Sequence, residues 1–236
     1  MEASDDERAL ESVRPALQHT SFETIDAQLL GEGAVYRAAM VSAGGCGRNR
    51  VCFGAALMEE KTHVEVKGLA VSGGMQKVDM RTNLHHIAAG CTSEQAQRNV
   101  IGGRSTSTFR GRIRVEQSAQ QTDSQQLARS LLLNNKGRVW CIPSLEIIAD
   151  DVSCAHGATI SDLSDEELFY LRSRGLDMET ARGLQLQAFV QSIGSGVNAE
   201  VMGARDGEGL RKRIVEKLGR IAPKGDREVK GEFQSS

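Results

Sequence analysis

Cys154 and His156 are the residues of this 236-residue chain whose types and spacing are best suited to chemistry. They lie in Ser153-Cys154-Ala155-His156-Gly157-Ala158-Thr159, a stretch of extended character. Side chains alternate faces along a strand, so a thiol and an imidazole two residues apart share one face, about 6–7 Å from each other, and can share a ligand. A catalytic use, with Cys154 as nucleophile and His156 as its base in an all-β enzyme, is the alternative, but neighbours two apart on one strand are awkward for direct proton transfer. A Cys-x-His on a strand also has an ordinary use in packing.

Other chemistry-bearing groups are weaker. His85 and His86 are adjacent, so on a strand they face opposite ways and at most one can join Cys91 in a shared metal site; Cys91 reads better as a small buried hydrophobe. Cys46 and Cys52 flank Gly44-Gly45-Cys46-Gly47-Arg48, a turn-like run that could otherwise be a metal or phosphate loop. Arg110, Arg112 and Arg114, with Arg104 nearby, line one strand face and could meet phosphates. Aromatic residues are only 4% of the chain, too few for base stacking, so a solvated face or a rim for an acidic partner is preferred. The pattern of Gly194, Gly196 and Ala199 superficially matches a dinucleotide fingerprint, but it follows a predicted helix and has no βαβ unit around it. There is no phosphate-binding loop of the G-x-x-x-x-G-K-[ST] type, so this chain by itself is not expected to hydrolyse a nucleotide.

These residues have to be positioned by a mainly β domain. Short segments rich in β-branched and apolar residues, separated by Gly, Asn and Asp, run over 23–30, 34–41, 50–58, 62–72, 77–87, 106–115, 125–133, 138–148 and 152–160. In 108–115 the alternation puts Phe109, Gly111, Ile113 and Val115 on one face and the arginines on the other. Periodicity alone leaves a sandwich, a barrel and a solenoid open. Helices follow: Ser164 and Glu167 form a capping box, Leu163 and Leu168 a hydrophobic staple, and Gly175 a left-handed C-terminal residue. Asp177 caps a second helix reaching about Ile193, and Asp206 precedes a third with Leu210, Ile214, Leu218 and Ile221 on one stripe. The domain boundaries are therefore an N-terminal segment 1–21, with a short helix over 3–17 interrupted at Pro15 or a truncated start, a β core 22–162, a helical domain 163–223 and a polar, disordered tail 224–236.

Composition narrows the function. A net charge of −2 gives no whole-chain attraction to nucleic acid or to an anionic membrane, and no apolar run is long enough to span a bilayer. Five cysteines at irregular spacing suit neither a zinc pattern nor a secreted disulfide framework, which points to a reducing compartment. Glu2, Asp5, Asp6, Glu7 and Glu11 do not suit a secretory or transit peptide.

Leu145-Glu146-Ile147, Ala149-Asp150-Asp151-Val152, Cys154-Ala155-His156-Gly157-Ala158-Thr159 and Phe169-Tyr170-Leu171-Arg172-Ser173-Arg174-Gly175 together closely resemble the C-terminal half of the SufB/SufD family, scaffold proteins of the SUF iron–sulfur cluster assembly system. The resemblance extends through Cys91-Thr92-Ser93 and 109–122, and spans most of 22–223. It implies a right-handed parallel β-helix followed by helices, and a further stretch before the matched region in whole family members. It also implies that Cys154 and His156 lie at the interface with a SufB-like partner and contact a transient cluster there, with no tightly bound cofactor. A SufC-like ATPase would dock on the C-terminal helices through Glu167, Leu168, Phe169, Tyr170 and Arg172. SufB-type members carry a glutamate after this histidine and a cluster-related cysteine in the preceding strand; Gly157 and Ala128 stand there instead, so the SufD type is the better match. The expected role is a non-enzymatic scaffold, with a homodimer as the alternative assembly and no nucleic-acid or membrane partner. Its expected place is the cytoplasm of a prokaryote or the plastid of a eukaryote. A homomeric β-solenoid module would leave the Cys-x-His unused.

Overall fold

The computed structural model describes residues 19–43, 45, 47–194 and 207–221. Ten strands come first in the chain: β1 (Thr20–Leu29), β2 (Val35–Ser42), β3 (Arg48–Leu57), β4 (His63–Ser72), β5 (Lys77–His86), β6 (Thr92–Ile101), β7 (Thr106–Val115), β8 (Thr122–Leu132), β9 (Arg138–Ile147) and β10 (Val152–Ser161). Three helices follow, α1 (Asp165–Ser173), α2 (Met178–Gly194) and α3 (Gly207–Ile221). The helix expected over 3–17, the tail 224–236, and Cys46 lie outside the described residues.

Odd and even strands segregate into two parallel sheets, ordered β1-β3-β5-β7-β9 and β10-β8-β6-β4-β2. Each coil adds one strand to each sheet, which makes a parallel β-solenoid and settles the choice that periodicity left open. Equivalent residues on neighbouring coils lie 29 residues apart at His63 and Thr92 and 31 apart at Ser93 and Ser124. One inward column reads Val51, Met80, Phe109, Cys141.

The corners are stacked too. Gly33, Lys61, Gly90 and Gln121 all hold positive φ, between 57° and 70°, at the same corner of successive coils. Their backbone amides donate to Glu60 O, Ala89 O, Gln120 O and Asp151 O at 2.9, 3.2, 2.8 and 2.6 Å, so the ladder continues through the turns. Left-handed backbone is cheap for the two glycines and costs about 1 kcal/mol or more for Lys61 and Gln121.

Between the sheets lies an apolar core that includes Phe53, Leu57, Val64, Met80, Leu84, Phe109 and Ile113. A second cluster covers the outer face of the even sheet, where Leu69, Val71, Val100 and Leu131 meet Leu186 of α2 and Ile214 and Leu218 of α3. α3 is seated closely: a Cβ on Gly73 would lie 2.3 Å from Ile221 Cγ2, and one on Gly102 would lie 3.1 Å from Ile221 O.

The strand β6 is absent from the segments read in the sequence. Its inward positions are Ser93, Gln95, Gln97 and Asn99, all buried, so no apolar alternation marks it. The ends of α1 are largely as expected. Glu167 N donates to Ser164 Oγ at 3.3 Å, Leu176 N to Leu171 O at 3.3 Å and Gly175 N to Arg172 O at 3.0 Å, with Gly175 at φ 90°, the bonds of a Schellman stop. The capping box is half formed, because the Glu167 carboxylate accepts from Gln185 Nε2 at 3.0 Å and ties α1 to α2. Asp177 Oδ1 accepts from Thr180 N at 2.7 Å and caps α2.

Candidate functional site at the last coil

β9 and β10 are each the terminal strand of their sheet, so the last coil leaves one edge of each without a partner strand among the described residues. Register decides which way Cys154 and His156 face. Cys154 pairs with Ser124 and His156 with Gln126, and both Ser124 and Gln126 point into the solenoid and are buried. Cys154 and His156 therefore share the inward face, as their spacing predicts. With no coil beyond them among the described residues, His156 is exposed and Cys154 is half-buried.

Behind them a polar file runs into the interior. His86 Nε2 meets Ser93 Oγ at 2.9 Å, Ser93 Oγ meets Ser124 Oγ at 2.7 Å, and Ser124 lies under Cys154. A parallel column holds Gln95, Gln126 and His156; Gln126 Nε2 donates to Gln95 Oε1 while Gln126 Oε1, buried, has no hydrogen-bond partner among the described residues. Burial and, second, the charge of His85 push the His86 pKa down to about 4, so it is a neutral interior group.

The Cys154 thiol is pushed up by burial first and by the Asp123 carboxylate second, against a smaller lowering effect of the Ser124 backbone. That direction is opposite to the activation of a catalytic nucleophile, and it disfavours the Cys-His enzyme. A metal would reverse it, because a bound cation favours the thiolate.

Cys141, also missed by sequence reasoning, faces inward on the last coil but stands apart from the pair, level with Ser130 and Ile160 rather than with Ser124 and Cys154. It takes the inward column above Phe109, with its Sγ 3.3 Å from Ser130 Oγ. The signal was present: Cys141 shares strand parity with Val139 and Leu145. Among the described residues, no three His, Cys, Asp or Glu side chains are grouped closely enough to hold a metal ion.

The remaining candidates disperse. His85 faces outward with Nε2 2.7 Å from Glu116 Oε1, whereas its neighbour His86 faces inward. Cys91 is fully buried in the core and its Sγ donates to Glu59 O at 3.3 Å. Cys52 lies on the outer face of β3, away from that core. The arginine face is ion-paired: Arg110 with Asp79 at 3.5 Å, Arg112 with Glu146, and Arg114 with Glu116 at 2.7 Å. Of the dinucleotide-like pattern, Gly194 ends α2, and Gly196 and Ala199 fall outside the described residues.

On α1 the proposed docking residues divide by burial. Leu168 is 6% exposed and belongs to the packing, whereas Phe169 and Tyr170 are 76% and 57% exposed. Arg172 is exposed, and Glu167 is engaged by Gln185. No helix among the described residues is long and apolar enough to cross a membrane.

Residues 14–189 match the family described as "SUF system FeS cluster assembly, SufBD core domain". The iron–sulfur cluster assembly protein SufD of Escherichia coli is 34% identical over 168 residues, 71% of this chain and 38% of that protein. An iron–sulfur cluster assembly SufBD family protein of Synechocystis is 39% identical over 135 residues, 57% of this chain and 30% of its own. The protein ABCI7, chloroplastic, of Arabidopsis thaliana is 53% identical over 89 residues, 38% of this chain and 18% of its own. The match thus spans well under half the length of these relatives. The chain belongs to the SufB/SufD family of SUF iron–sulfur cluster assembly proteins, on its SufD side.

Proposed function

We propose that this chain acts as a SufD-like scaffold whose last coil forms one side of an iron–sulfur cluster assembly site, completed by a SufB-like subunit. The observation that carries the reading is the placement of Cys154 and His156 on the inward face of a coil that has no further coil beyond it among the described residues. An unpaired strand edge is a template for another strand, and the edges of β9 and β10 are rimmed by the exposed apolar side chains Trp140, Ile142 and Ile160. A partner that added its own edges there would bury the rim and close a chamber over the two side chains.

The cluster is the cargo of that chamber. His156 offers a ring nitrogen, and Cys154 must shed a proton that burial and Asp123 hold in place, so iron capture at this cysteine releases a proton. The partner supplies the other ligands. A SufC-like ATPase docks on the exposed Phe169 and Tyr170 of α1, and its nucleotide cycle opens and closes the interface; the chain itself catalyses nothing. Its place of work is the cytoplasm of a prokaryote or the plastid of a eukaryote.

The test is co-expression with SufB-like and SufC-like proteins from the same source. The three should co-purify, and Ile142→Lys with Ile160→Lys should release the SufB-like subunit while leaving the ATPase bound. A chain that purifies alone, or one whose complex tolerates both lysines, would overturn the proposed interface.

A further inference from the structure

A second site lies on the other face of β10. Between the outer face of the even sheet and the helices α1 and α2 is a cleft of about 920 Å³, within the range of small-molecule sites. Its floor is a row across three strands, in which Arg98 of β6 pairs with Arg129 of β8 and Arg129 with Thr159 of β10. The two guanidinium groups are therefore neighbours on one surface. Among the described residues neither makes an ion pair, whereas the arginines of the odd sheet's outer face have acids beside them.

Like charges placed side by side are unfavourable unless something answers them. Arg98 is stacked over the Phe189 ring at 4.8 Å, which holds its side chain against the apolar wall formed with Leu184 and Ala188. Burial first and the charge of Arg129 second depress its pKa. A stacked guanidinium lining a cleft, with a second one beside it, is an arrangement that can grip a carboxylate or phosphate by paired N–H donors. The opposite wall is acidic at Glu166 and Glu167, and Glu167 already accepts from Gln185. Asp162, directly after β10, lines the cleft as well, so the arginines occupy the strand floor and the acids the end of β10 and the start of α1.

We propose that this cleft binds a small amphiphilic anion, a phosphate ester or carboxylate with an apolar ring or chain, its charged group on Arg98 and Arg129 and its body against Phe189 and Leu184. The site is separate from Cys154, which faces the opposite side of β10, but shares Tyr170 of α1 with the proposed ATPase-docking surface.

Isothermal titration of the full chain with phenyl phosphate, phenylacetate and inorganic phosphate tests it. At least one aryl anion should saturate, and should bind at least about tenfold more tightly than inorganic phosphate, since only the aryl compounds use the apolar wall. Phenyl phosphate alone would identify the ligand as a phosphate ester, and phenylacetate alone as a carboxylate. Arg129 is exposed, so Arg129→Gln should leave the circular dichroism spectrum unchanged while weakening the aryl anion about tenfold or more, with partial recovery in Arg129→Lys. Absence of saturation with both aryl anions, equal affinity for inorganic phosphate, or undiminished binding to Arg129→Gln would overturn the proposal.

Discussion

Replacing His86 with glutamine should flatten the dependence of stability on pH between about pH 7.5 and pH 5. His86 is fully buried, with Nε2 2.9 Å from Ser93 Oγ and Nδ1 without a partner among the described residues. Its pKa falls from 6.5 to about 4, through burial first and His85 second. The depressed value means the fold prefers the neutral ring, so between these two values the unfolded chain binds more protons than the folded one. This contribution is fully present above the unfolded pKa and is lost as pH falls from there towards the folded pKa. At pH 5 the loss comes to about 2 kcal/mol, approaching about 3 kcal/mol below pH 4, at about 1.4 kcal/mol per unit. Glutamine keeps an amide able to meet Ser93 and removes the titration. Urea denaturation of both proteins at both pH values reads the effect, and the comparison cancels His85 and the carboxylates, which are common to both. A parallel fall in stability in the two proteins would refute the claim that His86 is held neutral inside the solenoid.

Two further substitutions separate packing from docking. Leu168→Glu places a charge in a buried position and should cost about 3 kcal/mol or more, visible as loss of helical circular dichroism, while the exposed Phe169→Glu should change stability by less than about 0.5 kcal/mol and yet weaken ATPase-subunit binding in a pull-down. Gly102→Ala puts a Cβ 2.9 Å from Ile221 Cβ and 3.1 Å from its carbonyl oxygen, so α3 must shift; a cost of about 1–3 kcal/mol is expected in thermal unfolding, and an unchanged midpoint would contradict the seating of α3 on the 73 and 102 corners.

Much of the fold was legible in the residues. Alternation in strands such as Thr106–Val115 marks an apolar inner and a charged outer face, and Ser164, Asp177 and Gly175 mark helix ends by chemistry that acts locally. What escaped depends on contacts between coils. β6 was missed because its inward side chains are polar and are satisfied by other coils, as Ser93 by Ser124 and Asn99 by Ser130 at 2.9 Å, which a hydrophobic pattern cannot register. Glu167 could have completed its capping box, but a residue on another helix, Gln185, engages its carboxylate. For the site, the shared face of Cys154 and His156 follows from strand geometry alone. That this face points inward, on a coil with no further coil beyond it among the described residues, follows from register, which two-residue spacing does not contain.

The central claim is that His156 and Cys154 serve a cluster built between this chain and its partner. Its most direct test is the iron and acid-labile sulfide content of the co-expressed complex carrying His156→Ala. His156 is exposed at the mouth of the last coil, so the substitution should leave the circular dichroism spectrum and the subunit composition unchanged. Iron and sulfide should both fall well below those of the native complex, with Cys154→Ala giving a similar or weaker loss because its half-buried thiol also packs against the core. Native iron and sulfide content in a folded, fully assembled His156→Ala complex would contradict the assignment.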